Sequence, residues 1–166
     1  MAVIRLTKEF SFEAAHALDG YDGPCREIHG HSYRLFVTVK GTPQADDADP
    51  KCGMVMDFGV LKRIVNEEIV SRFDHALVLR GSAGNDSLRG VLAARFGNIV
   101  TVPYQPTCEN MLEDFARRIR ARLARGGDAL VAASARDGHL VRRVVRRGQP
   151  LTPPVHATEP RCGSRR

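Results

Sequence analysis

Residues 3–18 carry apolar side chains at alternate positions, with Phe10, Phe12, Ala14 and His16 in step. A period of two places those four on one face of an extended strand. Residues 32–41, Ser-Tyr-Arg-Leu-Phe-Val-Thr-Val-Lys-Gly, alternate again and are rich in β-branched residues, which predicts a second strand. Residues 19–24 between them, Asp-Gly-Tyr-Asp-Gly-Pro, are dense in turn formers. Two strands joined this way are expected to pair antiparallel, with the end of the first beside the start of the second.

The period then changes. After an acidic loop at residues 42–50 and a short extended piece at 53–56, Asp57 is placed to cap a helix. Phe58, Leu61, Ile64, Val65 and Ile69 recur at helical spacing and predict one packed stripe. Residues 76–79 and 99–102 are short apolar pieces. Between them a short helix is expected from Asp86, packing through Leu88, Val91 and Leu92, with Gly97 past its end. A further helix opens at Pro106-Thr107-Cys108-Glu109-Asn110. Thr107 is its cap, Glu109 lies in the first turn where the helix dipole favours an anion, and Met111, Leu112, Phe115, Ile119 and Leu123 form its stripe. Gly126-Gly127 ends it. Residues 129–135 and 139–145 flank Asp137-Gly138, a type I′ hairpin signal. The expected fold class is α+β, one domain over residues 1–145, followed by an Arg-, Gly- and Pro-rich tail at 146–166 expected to be poorly ordered.

Charge alters this picture only at one end. From Ala116 onward there are 13 arginines against Asp128, Asp137 and Glu159, a net +10. The whole chain is +6, so the first 115 residues carry −4. That basic third has no aromatic residue after Leu123 and no nucleic-acid motif, so nucleic acid is not the expected partner. No apolar run approaches a membrane span, and the first residues lack a signal peptide's core, which makes the cytoplasm the expected compartment. Cys25, Cys52, Cys108 and Cys162 contain no Cys-x-x-Cys pair and read as free thiols.

The chemistry concentrates at Cys25-Arg-Glu-Ile-His29-Gly30-His31. His29 and His31 fall on one face of an extended segment, with Gly30 giving backbone freedom between them. The expected pairing brings His16 beside them. Three imidazoles with one open position form the ligand set of a catalytic Zn²⁺ site. Cys25, four residues before His29, is close enough to share the pocket.

With these pieces placed, the sequence resembles the 6-pyruvoyl-tetrahydropterin synthase family, and within it the bacterial 6-carboxy-tetrahydropterin synthases of queuosine biosynthesis. The matching residues are Phe12-Glu13-Ala14-Ala15-His16, Cys25-x-x-x-His29-Gly30-His31, and Gly53-Met54-Val55-Met56-Asp57-Phe58-x-x-Leu61-Lys62. Asp74-His75-x-x-Leu and Pro106-Thr107-x-Glu109-Asn110 complete the set. They occur in the family's order and reach to about residue 123. The resemblance implies a tunnelling fold: an antiparallel sheet with helices packed on one face, and subunits joined edge to edge into a barrel, a hexamer of two trimers, with active sites between subunits. It implies Zn²⁺ on His16, His29 and His31, a pterin triphosphate substrate, Cys25 as the base, and His75 oriented by Asp74 as a second acid–base group. Thr107 and Glu109 would hold the pterin ring.

The implied activity is that of a lyase converting 7,8-dihydroneopterin triphosphate to 6-carboxy-5,6,7,8-tetrahydropterin, with acetaldehyde and triphosphate released. The alternatives are 6-pyruvoyl-tetrahydropterin formation and a catalytically silent zinc protein. Residue by residue, Cys25 reads otherwise as a fourth zinc ligand or a small buried hydrophobe, Asp74-His75 as a helix end, and Glu109 as a dipole partner alone. The last third departs from the family's pattern, which ends in a Glu-Thr strand that anchors the pterin; no Glu-Thr follows Leu123. A reading-frame shift near residues 124–128 of a GC-rich gene would account for the missing anchor, the arginines and the lost aromatics together. Resequencing there and translating the other frames decides it: a Glu-Thr strand in one of them is expected, and none means the tail is genuine.

Overall fold

The structure is a computed structural model that describes residues 2–124, 129–137 and 140–143. Two 13-residue strands, β1 (Ile4–His16) and β2 (His29–Gly41), form its centre and pair antiparallel along their whole length. The turn-rich segment between them holds a short 3₁₀ turn, Pro24–Arg26. Beyond β2 the chain enters α1 (Phe58–Val65), a π turn (Asn66–Val70) and α2 (Ser71–Phe73), then β3 (Ala76–Arg80), α3 (Ala83–Ala93), β4 (Ile99–Val102) and α4 (Cys108–Ala124). β5 (Ala129–Asp137) and β6 (Leu140–Arg143) close the described chain.

The six strands form one sheet in the order β4-β3-β1-β2-β5-β6. The expected antiparallel pairing holds for β1, β2, β5 and β6. It fails at the other edge, where β3 runs parallel to β1 and β4 parallel to β3. Connectivity accounts for β4: α3 returns the chain to the end where β3 began, so the next strand runs the same way. The predicted hairpin appears as Asp137 paired with Leu140; its turn type lies outside the described residues, as do the Gly126-Gly127 stop and the tail from residue 146.

One face of the sheet carries the core. Phe10, Phe12 and Ala14 of β1 and Tyr33, Leu35, Val37 and Val39 of β2 are buried against α1, the π turn, α2 and α4. Phe12 stacks on Tyr33 at 5.0 Å and meets Phe115 edge-on at 6.0 Å, and Phe115 meets Phe73 at 4.8 Å. The opposite face shows Ser11, Glu13, Ser32 and Arg34 to solvent. The π turn explains how Phe73 reaches the core. Counting regular turns from Leu61 leads to Arg72; one extra residue in the turn carries Phe73 inward instead, at 0% exposure.

Several local expectations need correction. Asp57 caps α1 as expected, its carboxylate accepting from Gly59 N at 2.6 Å, but Phe58 is half exposed, with the Lys8 ammonium 5.6 Å from its ring centre. The helix expected from Asp86 starts three residues earlier, because Ser82 is its cap and accepts from Asn85 N. α3 buries none of its residues: Leu88 is 40% and Val91 73% exposed. Gly97 does not follow that helix directly, which ends at Ala93, and it does not adopt positive φ. Gly30 is an ordinary ladder residue opposite Ala15, so its conformational freedom is not used. Among the described residues no helix is long and apolar enough to cross a membrane, and Cys25, Cys52 and Cys108 are free thiols.

α4 carries a charge into the interior. Asp114 is 3% exposed and accepts from Arg118 Nε at 2.8 Å, from the Tyr104 hydroxyl at 2.9 Å, and from Arg117. Burial pushes its pKa up, but these donors outweigh burial and hold it below the ordinary carboxylate value. Burial and the same carboxylate hold the Tyr104 phenol above its usual value. Asp114→Ala should therefore cost about 1.5–3 kcal/mol of unfolding free energy, read from urea titrations. A lowered folded pKa means the contribution is present above the unfolded value of about 3.9 and is lost as pH falls through the folded pKa. The gap between wild type and variant should accordingly narrow in acid.

Candidate metal centre

The β1–β2 register builds the site. His16, last in β1, lies opposite His29, first in β2, and Ala14 lies opposite His31. All three imidazoles therefore leave the sheet on the core face, continuing the row above Phe12 and Tyr33. Their ring centroids are 4.5, 5.1 and 5.0 Å apart, and their nearest ligand atoms lie within 4.8 Å of one another. His16 Nε2 and His31 Nε2 are separated by 3.1 Å. Zinc–nitrogen bonds of 2.0–2.1 Å at tetrahedral angles require ligand atoms about 3.3 Å apart, so the cluster fits that ion.

Two of the rings are oriented by backbone carbonyls. His16 Nδ1 meets Pro106 O at 2.5 Å, and His29 Nδ1 meets Glu27 O at 2.8 Å. A carbonyl only accepts, so each Nδ1 carries the proton and each Nε2 turns a lone pair into the cluster. The third ring, His31, rests edge-on against Tyr33 at 5.8 Å. Pro106 is held in turn by its neighbours. Gln105 O accepts from Thr107 N at 2.7 Å and Asn110 Nδ2 at 3.0 Å, while Thr107 Oγ1 accepts from Asn110 N at 3.3 Å. The Gln105 amide also grips Asp19, donating to its carbonyl at 2.5 Å and accepting from its N–H at 3.1 Å.

The other predicted residues take separate positions. Cys25 is half-buried on the 3₁₀ turn, and its carbonyl accepts from Leu18 N at 3.0 Å. Its sulfur is not part of the three-histidine group. Asp74 and His75 are in contact, His75 Nδ1 lying 3.0 Å from Asp74 Oδ1. The same oxygen accepts from Glu13 N at 3.0 Å, and that bond, more than the imidazole, holds the Asp74 carboxyl below its ordinary pKa. His75 has a left-handed backbone, φ 57°, and an exposed side chain. Thr107 is the α4 cap, as predicted, and Glu109 is exposed in the first turn. An open cavity of about 810 Å³ has His31, Gly30, Ser32, Glu13 and His75 in its walls; Cys25, Thr107 and Glu109 are not among its lining residues. The sequence pattern thus finds the histidines and the Asp74–His75 contact, and misses the Pro106 and Glu27 carbonyls, Gln105, the Glu13 backbone and Asn98, whose Nδ2 donates to the Asp74 carbonyl at 2.9 Å. Of the two carbonyls and two side chains missed, Pro106 opens one of the family-like motifs and Glu27 fills an unspecified position of another.

The model of a family described as 6-pyruvoyl tetrahydropterin synthase matches residues 5–136. A protein of Haemophilus influenzae named 6-carboxy-5,6,7,8-tetrahydropterin synthase is 34% identical over 119 residues, covering 71% of this chain and 83% of that one. A Synechocystis protein of the same name is 43% identical over 81 residues, 49% of this chain and 57% of its own length. The structure of Caenorhabditis elegans 6-pyruvoyl tetrahydropterin synthase superposes with a TM-score of 0.62 at 19% identity, over 88% of this chain and 97% of that one. An uncharacterized Wolinella succinogenes protein gives 0.67 at 18%, over 87% and 99%. The two structural likenesses speak for the α+β fold. The family match through β1, β2 and the helices, together with the 34% identical relative, establishes that the chain belongs to the 6-pyruvoyl tetrahydropterin synthase family.

Proposed function

We propose that the protein is a zinc-dependent lyase that converts 7,8-dihydroneopterin triphosphate to 6-carboxy-5,6,7,8-tetrahydropterin, releasing acetaldehyde and triphosphate. The carrying observation is the cluster of His16, His29 and His31, with two rings oriented so that Nε2 faces inward, in a chain whose named relatives are 6-carboxy-5,6,7,8-tetrahydropterin synthases.

A zinc ion held by these imidazoles would supply Lewis acidity that makes neighbouring C–H and O–H groups of the substrate side chain more acidic. The remaining work falls to the chain. Cys25 Sγ, as a thiolate, takes a carbon-bound proton. His75 keeps its Nδ1 proton on Asp74, so Nε2 is free to accept and return a proton, as in a hydrolase dyad. Glu109 accepts paired hydrogen bonds from a pterin N–H and amino group, and Thr107, whose oxygen serves Asn110, still has its hydroxyl proton to donate.

Assembly belongs to the same proposal. Among the described residues β1 pairs with β3 only over 14–16, which leaves its earlier residues an open edge beside exposed Val3 and Ile4. Open edges call for cover, and a barrel of subunits, a hexamer of two trimers, supplies it. The silent-protein alternative keeps one observation in its favour, the missing Glu-Thr after Leu123.

Mass spectrometry of products from zinc-loaded protein and 7,8-dihydroneopterin triphosphate tests the proposal. The carboxylated tetrahydropterin and acetaldehyde are expected. A 6-pyruvoyl product reassigns the reaction, and no product at stoichiometric zinc overturns the enzyme reading. His16→Ala, His29→Ala and His31→Ala should each lose stoichiometric zinc by elemental analysis, because two imidazoles do not complete the site. Full zinc in any variant removes that residue from the ligand set. Cys25→Ala should keep zinc and lose about 10²- to 10⁴-fold in turnover. Loss of zinc instead would make Cys25 a ligand.

A further inference from the structure

We propose that Asn98 is a positioning residue for the Asp74–His75 pair, its side-chain amide holding the Asp74 carbonyl and so fixing the peptide from which His75 is presented. This rests on the acid–base role given to His75 above.

The backbone at this point is unusual. His75 is the one non-glycine residue with positive φ among the described residues, at 57°. An L-residue adopts that conformation at a cost in free energy and keeps it only where its surroundings fix it. What fixes it here is a grip on a single peptide plane. The carbonyl of the 74–75 peptide accepts from Asn98 Nδ2 at 2.9 Å. Its N–H donates to Glu13 O at 2.6 Å. With both ends held, the plane cannot rotate, and His75 must leave it with positive φ.

That backbone delivers the ring. Asp74 Oδ1 already accepts from Glu13 N at 3.0 Å, which sets the carboxylate against β1. From the left-handed backbone, His75 Nδ1 folds back to the same oxygen at 3.0 Å. A flip of the 74–75 peptide would relax φ and carry the imidazole off its partner. Glu13 contributes only main-chain atoms and resists from one end. Asn98 resists from the other, and it is the side chain in this grip that substitution can remove. The backbone of Asn98 is itself anchored: its carbonyl accepts from Leu77 N at 3.0 Å, one residue before Leu77's ladder partner Ile99. The start of β4 thereby reaches across to the start of β3 and pins the turn before it.

Asn98→Asp keeps the side chain's shape and removes the donor. Asn98→Ala removes both, and Asn98→Gln keeps a donor on a longer arm. In zinc-loaded full chain, the wild-type His75 ring should show a hydrogen-bonded Nδ1 proton by nuclear magnetic resonance. N98D and N98A should lose that signal, with kcat down roughly 10- to 100-fold. KM should change less than about twofold and zinc content should not change, since neither substrate binding nor the ligands are touched. N98Q should recover part of both losses and remains the test if the other variants do not fold. A wild-type Nδ1 signal and kcat in N98D, or an N98Q as impaired as N98A, overturns the proposal. His75→Ala with wild-type turnover would instead overturn the acid–base role of His75, while the Nδ1 signal in N98D would still decide whether Asn98 positions the ring.

Discussion

Everything at this site depends on one register: β1 and β2 pair so that His16 faces His29 and Ala14 faces His31. Pleated strands send alternate side chains to opposite faces, so a slip of one residue would move two of the three imidazoles to the solvent face. The core prevents that slip. The same register stacks Phe12 on Tyr33 and sets Leu35 opposite Phe10, with both phenylalanines buried. The residues that hold the sheet to α1 and α4 therefore also hold the ligand set, and the row from Phe73 through Phe115, Phe12 and Tyr33 to His31 makes that link continuous.

Around the register, main-chain atoms finish the site. Pro106 O and Glu27 O decide which nitrogen of His16 and His29 is available. Both Glu13 N and Glu13 O are used in placing Asp74 and His75. The three-histidine cluster and the Asp74–His75 pair thus meet at the end of one strand, through His16 and Glu13 of β1, although about sixty residues separate these from Asp74 in sequence.

This division explains how much of the site is legible in the sequence. His16, His29 and His31 can be read because alternation and a turn-rich connection together imply a register. Asp57 and Thr107 can be read because caps have a residue signature. The Pro106 and Glu27 carbonyls cannot, since a main-chain oxygen is the same in every residue. Asn98 cannot, because its partner is another such oxygen. α3 misleads for a different reason. Leu88 and Val91 at helical spacing show that a face is apolar, and spacing is silent on what covers it; in this chain they stay exposed. The parallel edge escapes because strand direction comes from the path of the connecting helix and not from the strand's own residues.

The proposed zinc site takes three imidazoles, and no thiolate, from the protein. Zinc K-edge X-ray absorption on the metal-loaded protein reads this directly. Three imidazole nitrogens and one light, exchangeable ligand at about 2.0–2.1 Å are expected. A sulfur scatterer at about 2.3 Å would contradict this, by making Cys25 a ligand and closing the position the chemistry requires.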